Sequence, residues 1–156
     1  MAGSGFDWHE PTYLPSGFAL RRQITGEGVV GLGRDPHQVG LVYTVGWDRE
    51  ALMYPLLVFV RPDGGAELAC TERRPGLPID LGMPAVNALY HDGWWQLNPN
   101  RDLEPDRIVA WDASTVHSIS VTYNAIQFAV RAARHATSLA ATVSLPELTK
   151  ISRSML

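Results

Sequence analysis

The sequence predicts an α+β domain: a mainly antiparallel β-sheet of about seven or eight strands with a C-terminal α-helix packed on it. Three observations carry this. Runs rich in Val, Ile, Tyr, Phe and Trp alternate with polar positions, as half-buried strands do. Gly and Pro, 14 and 11 of the 156 residues, interrupt those runs at short intervals. Clear helical spacing appears only at the C-terminal end. A composition of 46% hydrophobic and 19% charged residues is that of a folded domain. No repeat, low-complexity tract or linker divides the chain. Residues 1–156 are therefore expected to form a single domain, with 1–12 a loosely packed N-terminal arm.

In chain order, strands are expected at 17–25, 39–45, 55–61, 66–72, 85–91, 94–97, 108–112 and 116–123. Pro62-Asp-Gly-Gly65 reads as a hairpin between the third and fourth, because Asp-Gly suits positive-φ turns. Asp92-Gly93 reads the same way. A two-residue turn there sets His91 opposite Trp94 and Tyr90 opposite Trp95. Val86, Ala88, Tyr90, Trp95 and Leu97 then share the core face, and Asn87, Leu89, His91, Trp94 and Gln96 the other. On that register Trp95 is a core residue and Trp94 a spare one. In Ala125–Ala133 the alanines favour helix, but Ile126, Phe128 and Val130 alternate with Gln127, Ala129 and Arg131, which reads as a strand. Ser144-Leu-Pro-Glu147 has the form of a capping box with proline in the first turn. Leu145, Leu148, Ile151 and Met155 follow at helical spacing, with Lys150 and Arg153 toward the C-terminal end.

Charge and cysteine content narrow the function classes. Residues 1–112 carry 15 acids and 9 Lys or Arg, while residues 113–156 carry Glu147 against Arg131, Arg134, Lys150 and Arg153. Four cations spread over two elements describe a solvated face, and the interleaving of basic and aromatic residues that nucleic-acid binders show is missing. Cys70 is the only cysteine, so neither an intramolecular disulfide nor a cysteine-rich metal site is expected. The apolar run Leu52–Val60 is half the length of a membrane helix and contains Pro55, and no signal peptide is recognised after Met1. A cytoplasmic location is the default expectation.

Motifs with chemical potential are weak. Gly26-Glu-Gly-Val-Val-Gly31 fits G-x-G-x-x-G but is followed by Leu32-Gly-Arg-Asp-Pro36 in place of a helix, so it reads as a loop. Asp7-Trp-His-Glu10 and Asp35-Pro-His37 lack a second histidine at ligand spacing. There is no G-x-S-x-G, and the acids Asp102, Glu104 and Asp106 crowd a proline-containing loop. Val116–Tyr123, with His117, reads as a half-exposed strand.

Tyr13-Leu-Pro-Ser-Gly-Phe18, a strand at Val39–Thr44, a tryptophan-bearing hairpin and a short helix at Leu145–Ser154 resemble a bacterial domain of unknown function. That domain is often found behind anti-sigma-type membrane anchors and is similar to lipoprotein-localisation proteins. The resemblance implies a curved antiparallel sheet used for binding and supplies no catalytic residues. The chain departs from it in lacking an anchor and in the insertions Arg73–Asp80 and Asn98–Asp106.

A non-enzymatic binding or regulatory interaction domain follows, its ligand an apolar small molecule or a protein partner. The expected ligand-binding residues are His91, Trp94, Trp47 and Trp111, with no catalytic residue, metal ligand or cofactor assigned. Two alternatives make different demands: a small metal-assisted or hydrolase-like enzyme using His91, Asp92 or His9, and a structural homodimer.

Overall fold

The computed structural model describes residues 7–26, 37–46, 55–62, 76–97, 108–113, 115–136 and 139–156. The strands are β1 (Phe18–Thr25), β2 (Val39–Val45), β3 (Leu56–Pro62), β4 (Leu77–Pro78), β5 (Asn87–His91), β6 (Trp94–Leu97), β7 (Ile108–Asp112), β8 (Val116–Tyr123) and β9 (Ile126–Ala133). A 3-10 turn at Leu139–Ala141 precedes the helix α1 (Leu145–Arg153). Seven strands form one antiparallel sheet in the order β1-β2-β3-β9-β8-β5-β4, and β6 and β7 form a separate two-stranded sheet. The fold is α+β, as alternation and helical spacing predict, although the sheet is not strongly curved. The strand expected at 66–72 and residues 63–65 of the turn before it lie outside the described residues, as does most of the Gly26–Gly31 loop.

Alternation decides what each face of the large sheet does. Leu41 and Tyr43 of β2, Val58 and Val60 of β3, Phe128 and Val130 of β9, and Ile119 and Val121 of β8 are all buried on one face. Helix α1 lies over β8 and β9 on this side and contributes Leu148 and Ile151, with Met155 just beyond its end. Leu145 is 37% exposed and so leaves the predicted stripe; Ser152, buried, bonds its hydroxyl back to the Leu148 carbonyl at 2.9 Å instead.

The helix start is built largely as predicted. Ser144 Oγ accepts from the Glu147 amide at 3.3 Å, and Pro146 sits in the first turn. The Glu147 carboxylate does not return to Ser144, because Tyr13 donates to one oxygen and Lys150 bonds the other. Thr12 bonds Ser154 through its amide and its hydroxyl, and Trp8 is 4% exposed within the core. Asp7, His9, Glu10 and Thr12 of the N-terminal arm are exposed.

Both edges of the large sheet are blunted. Edge strand β1 carries a register break between Leu20 and Arg22 and the adjacent arginines Arg21 and Arg22. Edge strand β4 has two residues, one of them Pro78. Bulges, charge and proline are the usual guards against unwanted strand addition.

One predicted pairing does not form. Strand β5 is bonded to β8 on one side and to β4 on the other. No ladder edge remains for β6, so His91 faces Ser118 and not Trp94, and Trp95 is not assigned to the main core by this register. Gly93 is not among the glycines of positive φ, so Asp92-Gly93 is a bend and not the expected hairpin turn.

The tight hairpin lies elsewhere. Strands β8 and β9 pair Tyr123 with Ile126, leaving Asn124 (φ 49) and Ala125 (φ 61) as a two-residue loop. Both residues are left-handed, which asparagine tolerates and alanine resists by roughly 1–2 kcal/mol. Ala125→Gly should therefore raise the free energy of unfolding by about 1 kcal/mol, measured by urea titration; an unchanged or lower value would contradict this turn.

Candidate functional site

The two buried histidines lie on opposite faces of the sheet. His117 belongs to the helix face with Ile119 and Val121. Its Nε2 lies 2.7 Å from the Val143 carbonyl and its Nδ1 lies 3.0 Å from Tyr90 Oη. A carbonyl only accepts, so Nε2 carries the proton, and Nδ1 must accept from the Tyr90 hydroxyl. The rings meet edge to face, with centroids 5.7 Å apart. Neutral His117 is thereby fully bonded and ties β8 to β5 and to the segment entering α1. Burial holds its pKa below the ordinary imidazole value, with Arg134 and His135 acting in the same direction and the Val143 bond opposing them.

His91, on the other face, is 8% exposed. Its burial comes from Gly76: a Cβ built there would lie 2.8 Å from His91 Cε1 and 2.9 Å from the Tyr90 carbonyl oxygen. Only glycine lets the chain pass this close to β5. His91 Nε2 lies 3.1 Å from Ser120 Oγ on β8, and burial lowers its pKa against the pull of Asp92. A neutral histidine beside a serine is the first half of a nucleophilic dyad. However, Ser120 lies mid-strand between β5 and β9, where neighbouring amides serve the sheet ladders and cannot be gathered into an oxyanion hole.

The rest of that face is a mixed surface. Arg61, 2% exposed, donates from Nε and Nη2 to Gln127 Oε1 at 2.8 and 2.6 Å. Phe59 packs with Ala129, Ile24 and Leu57, and the Arg131 guanidinium lies 5.3 Å from the Phe59 ring centre. On the helix face the Tyr43 hydroxyl is buried with no hydrogen-bond partner among the described residues, and burial together with Glu10 pushes its pKa up.

The chain leaves the large sheet after His91 and returns at β8, and the excursion between is the β6–β7 ribbon. Its root is clamped. Arg134 Nη1 donates to the Asp92 carbonyl at 3.1 Å, where the chain departs, and to the Ala113 carbonyl at 3.2 Å, where it returns. The Arg134 amide also donates to the Thr115 carbonyl at 2.8 Å. Among the described strands, β6 and β7 form ladders with each other and not with the large sheet. Its register pairs Trp95 with Trp111 and Trp94 with Asp112, so Trp95 and Trp111 share one face of the ribbon.

The expected ligand residues are therefore distributed. Trp94 and Trp111 come onto one ribbon, at register positions of opposite faces. His91 stays in the large sheet, and Trp47 lies outside the described residues. His9 and His37 are exposed, and His9 Nδ1 lies 2.8 Å from the adjacent Glu10 carbonyl oxygen. No group of three metal-ligating side chains occurs among the described residues. Sequence reasoning did not single out Arg134 or the Tyr90–His117 bond, since both depend on segments far apart in the chain.

Two buried histidines held below their ordinary pKa set the sign of an acid effect. The unfolded chain binds protons near pH 6.5 and the folded chain resists them. Stability is thus fully present above about pH 6.5 and falls as pH drops toward the folded-state values. The urea midpoint should decline from pH 7 to pH 5, with a smaller slope in His117→Gln. A flat or rising midpoint over that interval would contradict the neutral, bonded state of these rings.

No protein-family model matches the chain, and no curated protein or solved structure matches it significantly.

Proposed function

We propose that the chain is a non-enzymatic binding or interaction domain, for an apolar small molecule or a protein partner, with the β6–β7 ribbon as its contact element. The observation that supports this is the ribbon's position: three of the five tryptophans lie on two strands that pair outside the main ladder, and Arg134 clamps their root. Aromatic residues on an element outside the main ladder are suited to recognition, because each buries a large apolar area with little loss of side-chain freedom. The resemblance carried by Tyr13–Phe18 points to the same class of role.

The His91–Ser120 contact favours a second reading, a hydrolase-like enzyme. A fluorophosphonate probe separates the two. Labelling of Ser120 that disappears in His91→Ala would establish the enzyme; the binding reading expects none. The homodimer alternative loses its simplest route, edge-to-edge pairing of the large sheet, to the guards on β1 and β4.

The contact-element reading makes a direct demand on stability. Trp94→Ala and Trp111→Ala should each change the urea-derived stability of the domain by less than about 1 kcal/mol, as surface substitutions do. A loss of about 3–5 kcal/mol in either variant would mark the residue as core and end the reading.

A further inference from the structure

Resting on the ribbon as contact element, we propose that its root is a proton-sensitive latch. Protonation of His117 sets a second positive charge beside Arg134, and the Arg134 guanidinium then leaves the two carbonyls that clamp the root.

Strand register brings the two groups together. His117 lies opposite Ala132 and Val116 opposite Ala133 in the β8–β9 ladder. The Arg134 amide bond to the Thr115 carbonyl carries that register one step further. Arg134 therefore continues the alternation of Phe128, Val130 and Ala132 and is the diagonal neighbour of His117 on the helix face, within reach of a long side chain. From there Nη1 spans to the Asp92 and Ala113 carbonyls at 3.1 and 3.2 Å. The latch and its sensor thus occupy one corner of the sheet, where the chain leaves β5 and re-enters β8.

The neutral ring suits the closed latch. Nε2 donates to the Val143 carbonyl and Nδ1 accepts from the Tyr90 hydroxyl. A proton added at Nδ1 does not eject the ring, since Tyr90 Oη can accept from the new N–H once its own proton turns away. The charge itself is what the corner resists. Burial opposes it first, the Val143 bond favours it, and Arg134 and His135 oppose it. The acids of neighbouring elements are directed elsewhere: Asp92 acts on His91 and Tyr90, and Glu147 is taken by Tyr13 and Lys150. Of the other cations on α1, Arg153 bonds the Leu81 carbonyl. Between the two charges, Arg134 is the one able to move. It is half-buried and holds only neutral carbonyls through Nη1, whereas His117 is 3% exposed and fixed at both nitrogens. The latch is fully closed above about pH 6.5 and weakens as pH falls toward the folded-state value.

The test follows hydrogen exchange of the amides of 94–97 and 108–112 in the full chain at pH 7.5 and pH 5, corrected for intrinsic exchange. Their opening equilibrium should rise about tenfold at pH 5, within the roughly thirtyfold that one proton on an imidazole of ordinary pKa near 6.5 supplies. The β9 amides should remain better protected, which makes the opening local. His117→Gln, which cannot take the charge, should hold ribbon opening constant over this range. Arg134→Gln should also remove the pH dependence, and NMR titration should place its His117 pKa above that of the unsubstituted chain, the reciprocal of the same coupling. An unchanged His117 pKa in Arg134→Gln would overturn the proposal even if His117→Gln does not fold. So would pH-independent ribbon opening, or a response kept in His117→Gln and lost in His91→Asn or His135→Asn. If the root opens with acid but Trp94→Ala or Trp111→Ala unfolds the large sheet, the contact-element reading fails while the latch stands. If both tryptophan variants stay folded and the opening ignores pH, only the latch is refuted.

Discussion

A β-strand has two hydrogen-bonding edges, and the architecture of this domain depends on how β5 uses them. One edge is bonded to β8 and the other to the two-residue β4. Once both are filled, the chain that follows His91 cannot fold back as a neighbour, however favourable the local Asp92-Gly93 sequence is for a turn. It leaves the sheet, forms its own ribbon from 94–97 and 108–112, and re-enters at β8. Arg134, at the end of β9, closes this arrangement by holding the departing and returning carbonyls on one guanidinium.

The polar groups of the interior serve the same assembly. His117 joins three segments through two hydrogen bonds and needs its neutral form to do so. Removing one partner of such a bond leaves the other buried and unsatisfied, which costs about 1–3 kcal/mol. The terminal segments are fastened to each other by Tyr13 on Glu147 and Thr12 on Ser154, so the helix that covers the sheet is held at both its first and last turns.

Local signals were legible in the sequence and pairing was not. Alternation at Val116–Tyr123 and Ile126–Ala133 marked strands, and Ser144 with Pro146 marked the helix start, because each depends on neighbours in the chain. The Asn124-Ala125 turn escaped notice because alanine is a poor residue for a left-handed position and gives no turn signal. Strand β4 carried too few residues to show a period. His91 looked exposed by alternation and is buried because Gly76, fifteen positions earlier, passes against it. For the candidate site, the sequence marked Trp94 and Trp111 as worth attention. What joins them to one ribbon, and parts them from His91, is a competition between strands distant in sequence.

The central claim is that the ribbon is a unit apart from the large sheet. Native-state hydrogen exchange at increasing low concentrations of denaturant tests it most directly. The ribbon amides of 94–97 and 108–112 should exchange through a local opening of markedly lower free energy than β8 and β9, whose slowest amides report global unfolding. A single, shared opening free energy for ribbon and sheet would contradict the account.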